Sequence, residues 1–197
     1  MSAKIPVTIL GATGTVGQKF VRLLAEHPQF EIASVAASAQ SAGKRYGDIV
    51  RWRESTPLPT RVAEMTVQRS EPGIPGRVAF SAIEAEIAGE VEQAFARAGV
   101  YVVTNTKTHR MDPDVPLLIP EVNPDHLDLL AGQQRKHGWR GGIVANPNTV
   151  GQCRRCDVAR RRRAGCQPAE CPCSRDKRRV LDAEQHLGDE PTHPGAV

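Results

Sequence analysis

The stretch Val7-Thr8-Ile9-Leu10-Gly11-Ala12-Thr13-Gly14-Thr15-Val16-Gly17 constrains this chain more than any other. A short apolar run, fit for a buried strand, feeds straight into a glycine-rich turn. A helix is predicted from there, with Phe20, Val21, Leu23 and Leu24 as its apolar face. The pattern G-x-x-G-x-x-G is a variant of the dinucleotide fingerprint, and its physics is that of phosphate capture. Gly11 lets the chain turn tightly, Gly14 lets the backbone approach a pyrophosphate, and Gly17 lets the helix pack on the strand. The helix start then aims free N–H groups and the positive end of its dipole at the anion. Glycines alone say little. The strand before them and the amphipathic helix after them give the pattern its meaning. The competing reading is an ordinary strand–turn–helix with no ligand.

The rest of the chain continues the same alternation. Residues 5 to 10 are predicted as the first strand and 14 to 27 as the helix, ended by His27-Pro28. Residues 30 to 37 read as a second, buried strand. In a doubly wound fold the adenosine ribose sits at the end of this strand, where an acid favours NAD. The loop here reads Ser38-Ala39-Gln40-Ser41-Ala42-Gly43-Lys44 and has no acid. Hydroxyls and a lysine suit a 2′-phosphate, so NADP is the expected cofactor and NAD the alternative. A plain polar loop competes with both.

Residues 45 to 77 are broken by Pro57, Pro59, Pro72 and Pro75 and leave room for a short strand near Arg61 to Val67. Val78 to Ala82 is a clearer strand. A helix from Glu84 to Ala98 carries Ile87, Val91, Ala94 and Phe95 at helical spacing, with Gly99 as its cap. Val100 to Thr104 is the next strand and Leu117 to Pro120 a short apolar segment. A helix from Pro124 to about His137 is expected to take Asn123 as cap, and a last strand runs from Gly141 to Ala145. The fold class is therefore α/β, a doubly wound parallel sheet with helices on both faces.

Thr104-Asn105 falls at the carboxyl end of the sheet, where open α/β folds bind ligands. The segment after it is polar, basic and pinned by prolines. Lys107 and Arg110 are candidates to hold an anion, arginine by a two-pronged contact with carboxylate or phosphate. His109 is a candidate base, with a hydrogen-bonding or surface histidine as the commoner alternative.

Composition matters mainly at the far end. The 197 residues suffice for one domain or one and a half, and the net charge of +4 is unevenly spread. Arg154, Arg155, Arg160 to Arg163, Arg175, Lys177, Arg178 and Arg179 crowd together, and all five cysteines lie after Gln152. From Val150 on, the only Leu, Ile, Phe, Met, Trp or Tyr residues are Leu181 and Leu187. Such a segment buries too little apolar surface to offset its ordering entropy, so residues 149–197 are expected to be a disordered tail following a 1–148 domain. A zinc site is the first competing reading. Cys153-x-x-Cys156 has ligand spacing, but Cys171-x-Cys173 is one residue short of it. A nucleic-acid arm is the second, and it lacks aromatic residues for base stacking. No metal and no nucleic-acid partner are therefore expected. No stretch is apolar enough to span a membrane, and the first residues lead directly into a strand, so a cytoplasmic protein without a signal peptide is expected.

With these residues in view, the chain resembles aspartate-β-semialdehyde dehydrogenase of the archaeal and fungal type over about residues 5 to 148. The resemblance is carried by Gly11 to Gly17, by Ser38 to Tyr46, by the run His109 to Leu127, and by Asn146-Pro147-Asn148. It implies an NADPH-dependent reduction of aspartyl phosphate to the semialdehyde through a cysteine thioester, on the route to lysine, threonine and methionine. It implies a small-molecule acyl phosphate or aldehyde substrate and a homo-oligomer in intact members. It assigns Gly11, Thr13, Gly14, Thr15, Val16 and Gly17 to the pyrophosphate end of the cofactor, Ser38 and Ser41 to the 2′-phosphate, and Ser81 and Ala82 to the cofactor's surroundings. Arg110 and Asn148 fall to the substrate. At Gln40 the family often carries arginine. Two other readings stay open: a non-catalytic nucleotide-binding module, and a related acyl-CoA or acyl-phosphate reductase.

The family nucleophile follows Asn-Pro-Asn directly, and here that position is Thr149. A threonine hydroxyl stays protonated near neutrality unless a base activates it, and none is evident. A coding frame lost near Asn148 accounts for this residue and for both skews of the tail, because alanine codons of a GC-rich gene read one base out become arginine codons. The gene sequence across codons 145 to 155 is expected to show a neighbouring frame that resumes with cysteine after Asn148 and runs on through an apolar domain. Early stops in every other frame overturn this.

Overall fold

The first strand, β1 (Ile5–Leu10), buries Val7, Thr8, Ile9 and Leu10 completely. Burial without alternation means that both faces of the strand are covered, as in a parallel sheet between helical layers. In the computed structural model, which describes residues 3–147, β1 lies at the centre of such a sheet. The expected tail from residue 149, its cysteine spacing, Asn148 and Thr149 lie outside the described residues.

On one side of β1 is β2 (Phe30–Ala37), followed by the two-residue β3 (Gln68–Arg69). On the other side come β4 (Val78–Ser81), β5 (Tyr101–Thr104) and β6 (Gly142–Ala145). Every pairing is parallel, and the order β3-β2-β1-β4-β5-β6 reverses between β1 and β4. This is the doubly wound order with its ligand crevice at the reversal. The register sets Ala36, Leu10, Ser81, Thr104 and Ala145 in one row along the carboxyl edge. The residues that follow these five therefore share one rim.

Helix α1 (Thr15–Leu24) is shorter than the predicted 14 to 27. His27 explains the early end: its Nδ1 accepts from the backbone N–H groups of Gln29 and Phe30 at 3.1 and 3.2 Å and turns the chain into β2. Val21 and Leu24 face the core as expected, whereas Leu23 is 59% exposed. Phe20 packs on Phe80 with ring centroids 5.4 Å apart, and Phe80 meets Phe30 edge-on.

The irregular stretch differs from the predicted strand at 61 to 67. It contains two single-turn helices, α2 (Tyr46–Ile49) and α3 (Thr60–Ala63), and the strand comes only at Gln68–Arg69. The Pro59 carbonyl accepts from the N–H groups of both Val62 and Ala63, which starts a turn where the sequence left room for a strand. Val62 and Val67 still enter the core beside Val7, Ile9, Val21 and Tyr46.

Helix α4 (Ala85–Arg97) ends as predicted at Gly99, whose φ is +99°. The Gly99 N–H reaches Ala96 O at 3.1 Å and the Val100 N–H reaches Phe95 O at 3.0 Å. This pair of bonds satisfies carbonyls that the helix end leaves free. The last helical stretch divides into a 3₁₀ turn (Pro124–Asp128) and α5 (Leu129–His137). Asn123 is not a side-chain cap. Its Oδ1 accepts from the Ile119 N–H at 2.7 Å and its Nδ2 donates to Leu117 O at 2.8 Å, so it fixes the preceding segment instead. That segment reaches the sheet through a single parallel bridge between Leu117 and Ala145.

A Cβ built on Gly17 would lie 2.2 Å from the Gly11 carbonyl oxygen, whereas one on Gly132 in α5 would meet nothing within 4 Å. Gly17→Ala is expected to cost about 2 kcal/mol or more in chemical denaturation despite the better helix propensity of alanine. Gly132→Ala is expected to gain about 0.5–1 kcal/mol.

Candidate functional site

The glycine loop joins β1 to α1 at the rim. Gly11 has φ +74°, and a Cβ there would lie 2.6 Å from the Ala82 carbonyl oxygen. Ala82 in turn donates its N–H to Leu10 O at 2.9 Å, so the end of β4 lies directly against the loop. Gly14 differs from the other two glycines of the motif. Its φ is −75°, and a Cβ there would meet only the Gly11 carbonyl oxygen, at 3.4 Å. The protein's own packing does not require glycine at 14. Its bare backbone instead leaves space at the start of α1, which carries no side-chain cap. Gly14, Thr15 and Val16 are exposed there. Uncapped N–H groups beside an open backbone fit a phosphate oxygen.

Two buried side chains brace this loop, and neither was singled out from the sequence. The Tyr46 hydroxyl donates to Ala12 O at 2.7 Å, and burial pushes its pKa upward so that it remains a donor. Gln18 is 2% exposed. Its Nε2 donates to Thr13 O at 2.9 Å and Arg51 O at 3.1 Å, and its Oε1 accepts from the Arg53 N–H at 2.8 Å. A glutamine in the buried stripe with Gly17, Val21 and Leu24 was the available signal.

At the end of β2, Ser38 is exposed and Ser41 half-buried, with their Oγ atoms 3.4 Å apart. The Ser41 N–H donates to Ser38 O at 2.9 Å and closes the turn that brings the hydroxyls together. Backbone bonds from Gly43 to Val67 and from Val67 to Lys44 anchor its far side and leave Lys44 exposed beside it.

Beyond β5 and β6 the rim carries Arg110. Its Nε donates to Asn146 O at 3.1 Å and its Nη2 to Asn105 O at 2.6 Å. Asn146 Nδ2 donates to Asn105 Oδ1 at 2.8 Å, so the two strand ends hold each other and the guanidinium. Asn146 Oδ1 is buried without a partner. Lys107 is exposed on the same loop. Asp114 fastens the loop's far end through Lys136 at 3.0 Å and His137 at 2.5 Å. Partial burial works to raise its carboxyl, but hydrogen bonds from His137, Lys136 and its own backbone, with the Lys136 charge, bring it below the usual range.

Between cradle and arm lies a buried polar cluster that the sequence reading missed. Glu92 of α4 is fully buried, and its Oε1 accepts from the hydroxyls of Ser81 and Thr104, each at 2.6 Å. Burial pushes the carboxyl up, against hydrogen bonds from Ser81 and Thr104, the charge of His109 and a bond from Thr106. Ser81 thus ends β4 beside the glycine loop, but its hydroxyl turns inward, and only backbone is offered to a ligand. His109 is 3% exposed and bonds Asp112 through Nδ1 at 2.6 Å, so it is a hydrogen-bonding residue of the interior rather than a base on the rim. An acid in register with Ala88, Phe95 and Ala96 on the buried face of α4 was the signal for this cluster.

The family model described as semialdehyde dehydrogenase, NAD binding domain, matches residues 6–130. An aspartate-semialdehyde dehydrogenase of Methanothermobacter thermautotrophicus is 48% identical over 146 residues, which are 73% of this chain and 42% of that protein. One from Schizosaccharomyces pombe is 43% identical over 145 residues, or 72% of this chain and 41% of that protein. Among solved structures, an aspartate-semialdehyde dehydrogenase with NADP from Candida albicans aligns with a TM-score of 0.67 and 39% identity, over 74% of this chain and 43% of that one. The chain thus spans about two fifths of the length of the relatives it matches.

Replacing Gln18 by leucine leaves Thr13 O, Arg51 O and the Arg53 N–H without their partner. Gln18→Leu is expected to cost about 2 kcal/mol or more in urea unfolding.

Proposed function

Because the chain belongs to the semialdehyde dehydrogenase family through its NAD-binding domain, we propose that it is the cofactor-binding half of an aspartate-semialdehyde dehydrogenase that takes NADP. The observation that carries this is Gly14, a glycine that the protein's own packing does not need, at the uncapped start of α1. Its bare backbone suits a pyrophosphate, with Gly11, Thr13, Thr15, Val16 and Gly17 shaping the cradle around it. Ser38 and Ser41, with Lys44 beside them, suit a 2′-phosphate, and the Candida albicans relative was solved with NADP. NAD remains the alternative, since Gln40 stands where the family often has arginine.

When bound, the cofactor supplies a hydride to an acyl carbon. This chain's residues position and shield: the Ser81–Ala82 backbone walls the cradle, and Arg110, fixed by two carbonyls, presents its remaining N–H groups to an acyl phosphate or the carboxylate of its aldehyde. Asn148 is read as a further substrate contact. Thr149 stands at the nucleophile's place, and without an activating base its hydroxyl forms no thioester equivalent. The chain is therefore read as binding cofactor without turnover, with residues 1–148 as the domain and 149–197 as the product of a lost frame. It is read as cytoplasmic, with a small-molecule substrate and no nucleic-acid or membrane partner, and homo-oligomeric where the remaining half is present. Among the described residues no helix is long and apolar enough to cross a membrane. Thr149 also favours a second reading, a nucleotide-binding module that performs no chemistry.

Calorimetric titration of the chain is expected to show NADP binding about tenfold or more tighter than NAD, with no aldehyde-dependent NADPH signal. Gly14→Val is expected to weaken NADP binding by at least about tenfold while leaving thermal stability nearly unchanged, because the added side chain meets ligand space rather than protein. A chain that binds neither dinucleotide, or a Gly14→Val variant that binds as before, overturns the proposal.

A further inference from the structure

Two buried polar atoms without partners face one another: Glu92 Oε2 and His109 Nε2, 3.7 Å apart. Each belongs to a group whose other atom is engaged. Glu92 Oε1 takes the Ser81 and Thr104 hydroxyls, and His109 Nδ1 bonds the Asp112 carboxylate. An ionised carboxylate only accepts, so the hydrogen between His109 and Asp112 rides on Nδ1. What remains is one carboxylate oxygen, one ring nitrogen, and room for a single proton. A proton on either atom makes the 3.7 Å separation attractive, and a movement of the imidazole by about 1 Å closes it to a hydrogen bond. Without the proton, an anion faces a lone pair between two buried side chains.

The groups packed around the carboxylate are Ser81 from β4, Thr104 from β5, and Thr106 and His109 from the loop, with Asp112 behind the imidazole. Of these, only His109 and Asp112 carry titratable side chains. Burial acts on Glu92 in the direction that retains the proton as pH rises.

We propose that Glu92 and His109 hold one proton between them and thereby position Arg110. Arg110 follows His109 directly, and its guanidinium hangs on the carbonyls of Asn105 and Asn146. Asn105 follows Thr104, which Glu92 holds. Glu92 is fixed on α4 and Thr104 on β5, whereas His109 sits on the loop between β5 and the 3₁₀ turn, so the imidazole is the part that moves when the proton is lost. Its departure draws Arg110 off its two carbonyls. Glu92 touches no ligand in this scheme and is a positioning residue. The consequence for anion binding rests on Arg110 being the anion arm; the pair itself does not.

The test is side-chain ¹⁵N NMR of the full chain, following the Arg110 Nε–H that bonds Asn146 O, assigned by its loss in Arg110→Lys. Its solvent exchange is expected to rise about tenfold between about pH 6 and about pH 9, beyond the base-catalysed rise of exposed arginines. Glu92→Gln places an amide donor where the shared proton sits, with no proton to lose. It is expected to keep Arg110 protected across that range, which a purely structural role for Glu92 would not produce. A wild-type chain with no excess pH dependence, which needs no variant to fold, overturns the proposal, as does an unchanged dependence in Glu92→Gln. Inorganic phosphate added to the same samples is expected to shift Arg110 signals at the lower pH only. Absence of any phosphate response, with the pH-coupled protection intact, removes the anion reading and leaves the positioning pair standing.

Discussion

The close approach of α1 to the turn that precedes it sets the geometry of everything at the rim. The Gly11 carbonyl occupies the volume that a side chain at 17 would need, and the Ala82 carbonyl occupies the volume that one at Gly11 would need. Three backbone segments therefore meet with no side chains between them. Only in this arrangement does the uncapped start of α1 end over the crevice between β1 and β4, where the strand order reverses. A helix displaced by the width of one methyl group would still bury Val21 and Leu24 but would aim its N–H groups elsewhere. The cradle thus depends on missing atoms, and the buried braces Gln18 and Tyr46 hold the loop where those absences count.

Register transmits that geometry across the sheet. Because Leu10, Ser81, Thr104 and Ala145 share a row, the glycine loop, the Ala82 wall and the Asn105–Asn146 pair are level with one another. Glu92 then joins the row from beneath. One carboxylate oxygen collects hydroxyls from neighbouring strand ends, and the other faces the loop that carries Arg110. A carboxylate buried in this way is costly unless its neighbours repay the lost hydration, and here two hydroxyls do so at one oxygen while the other has only the imidazole 3.7 Å away.

The sequence was legible where one physical demand acted locally. Gly11, Gly14 and Gly17 reported a turn, an open approach and a close packing, and the structure gives each a distinct environment. The strands and α4 were legible because apolar spacing and a glycine terminus agreed. Legibility failed where tertiary contacts redirected a side chain. Val62 is buried from a turn that Pro59 initiates, where a strand was expected, and Val67 from the position just before β3. Asn123 looks like a helix cap, yet its amide is spent on Leu117 and Ile119. Ser81 sits in the expected place with its hydroxyl pointing the other way. Gln18 and Glu92 were missed for a common reason. A polar residue within an apolar helical stripe reads as a flaw in the pattern until its partners, drawn from distant segments, are known.

Those misses also show how the two ends of the rim are held. The cradle is assembled from residues between Ile5 and Ala82, braced by contacts inside that span. The arm is assembled between Glu92 and Asn146 and is closed by the Asn105–Asn146 bond. The two groups are thus built by different spans of the chain, each closed by its own hydrogen bonds.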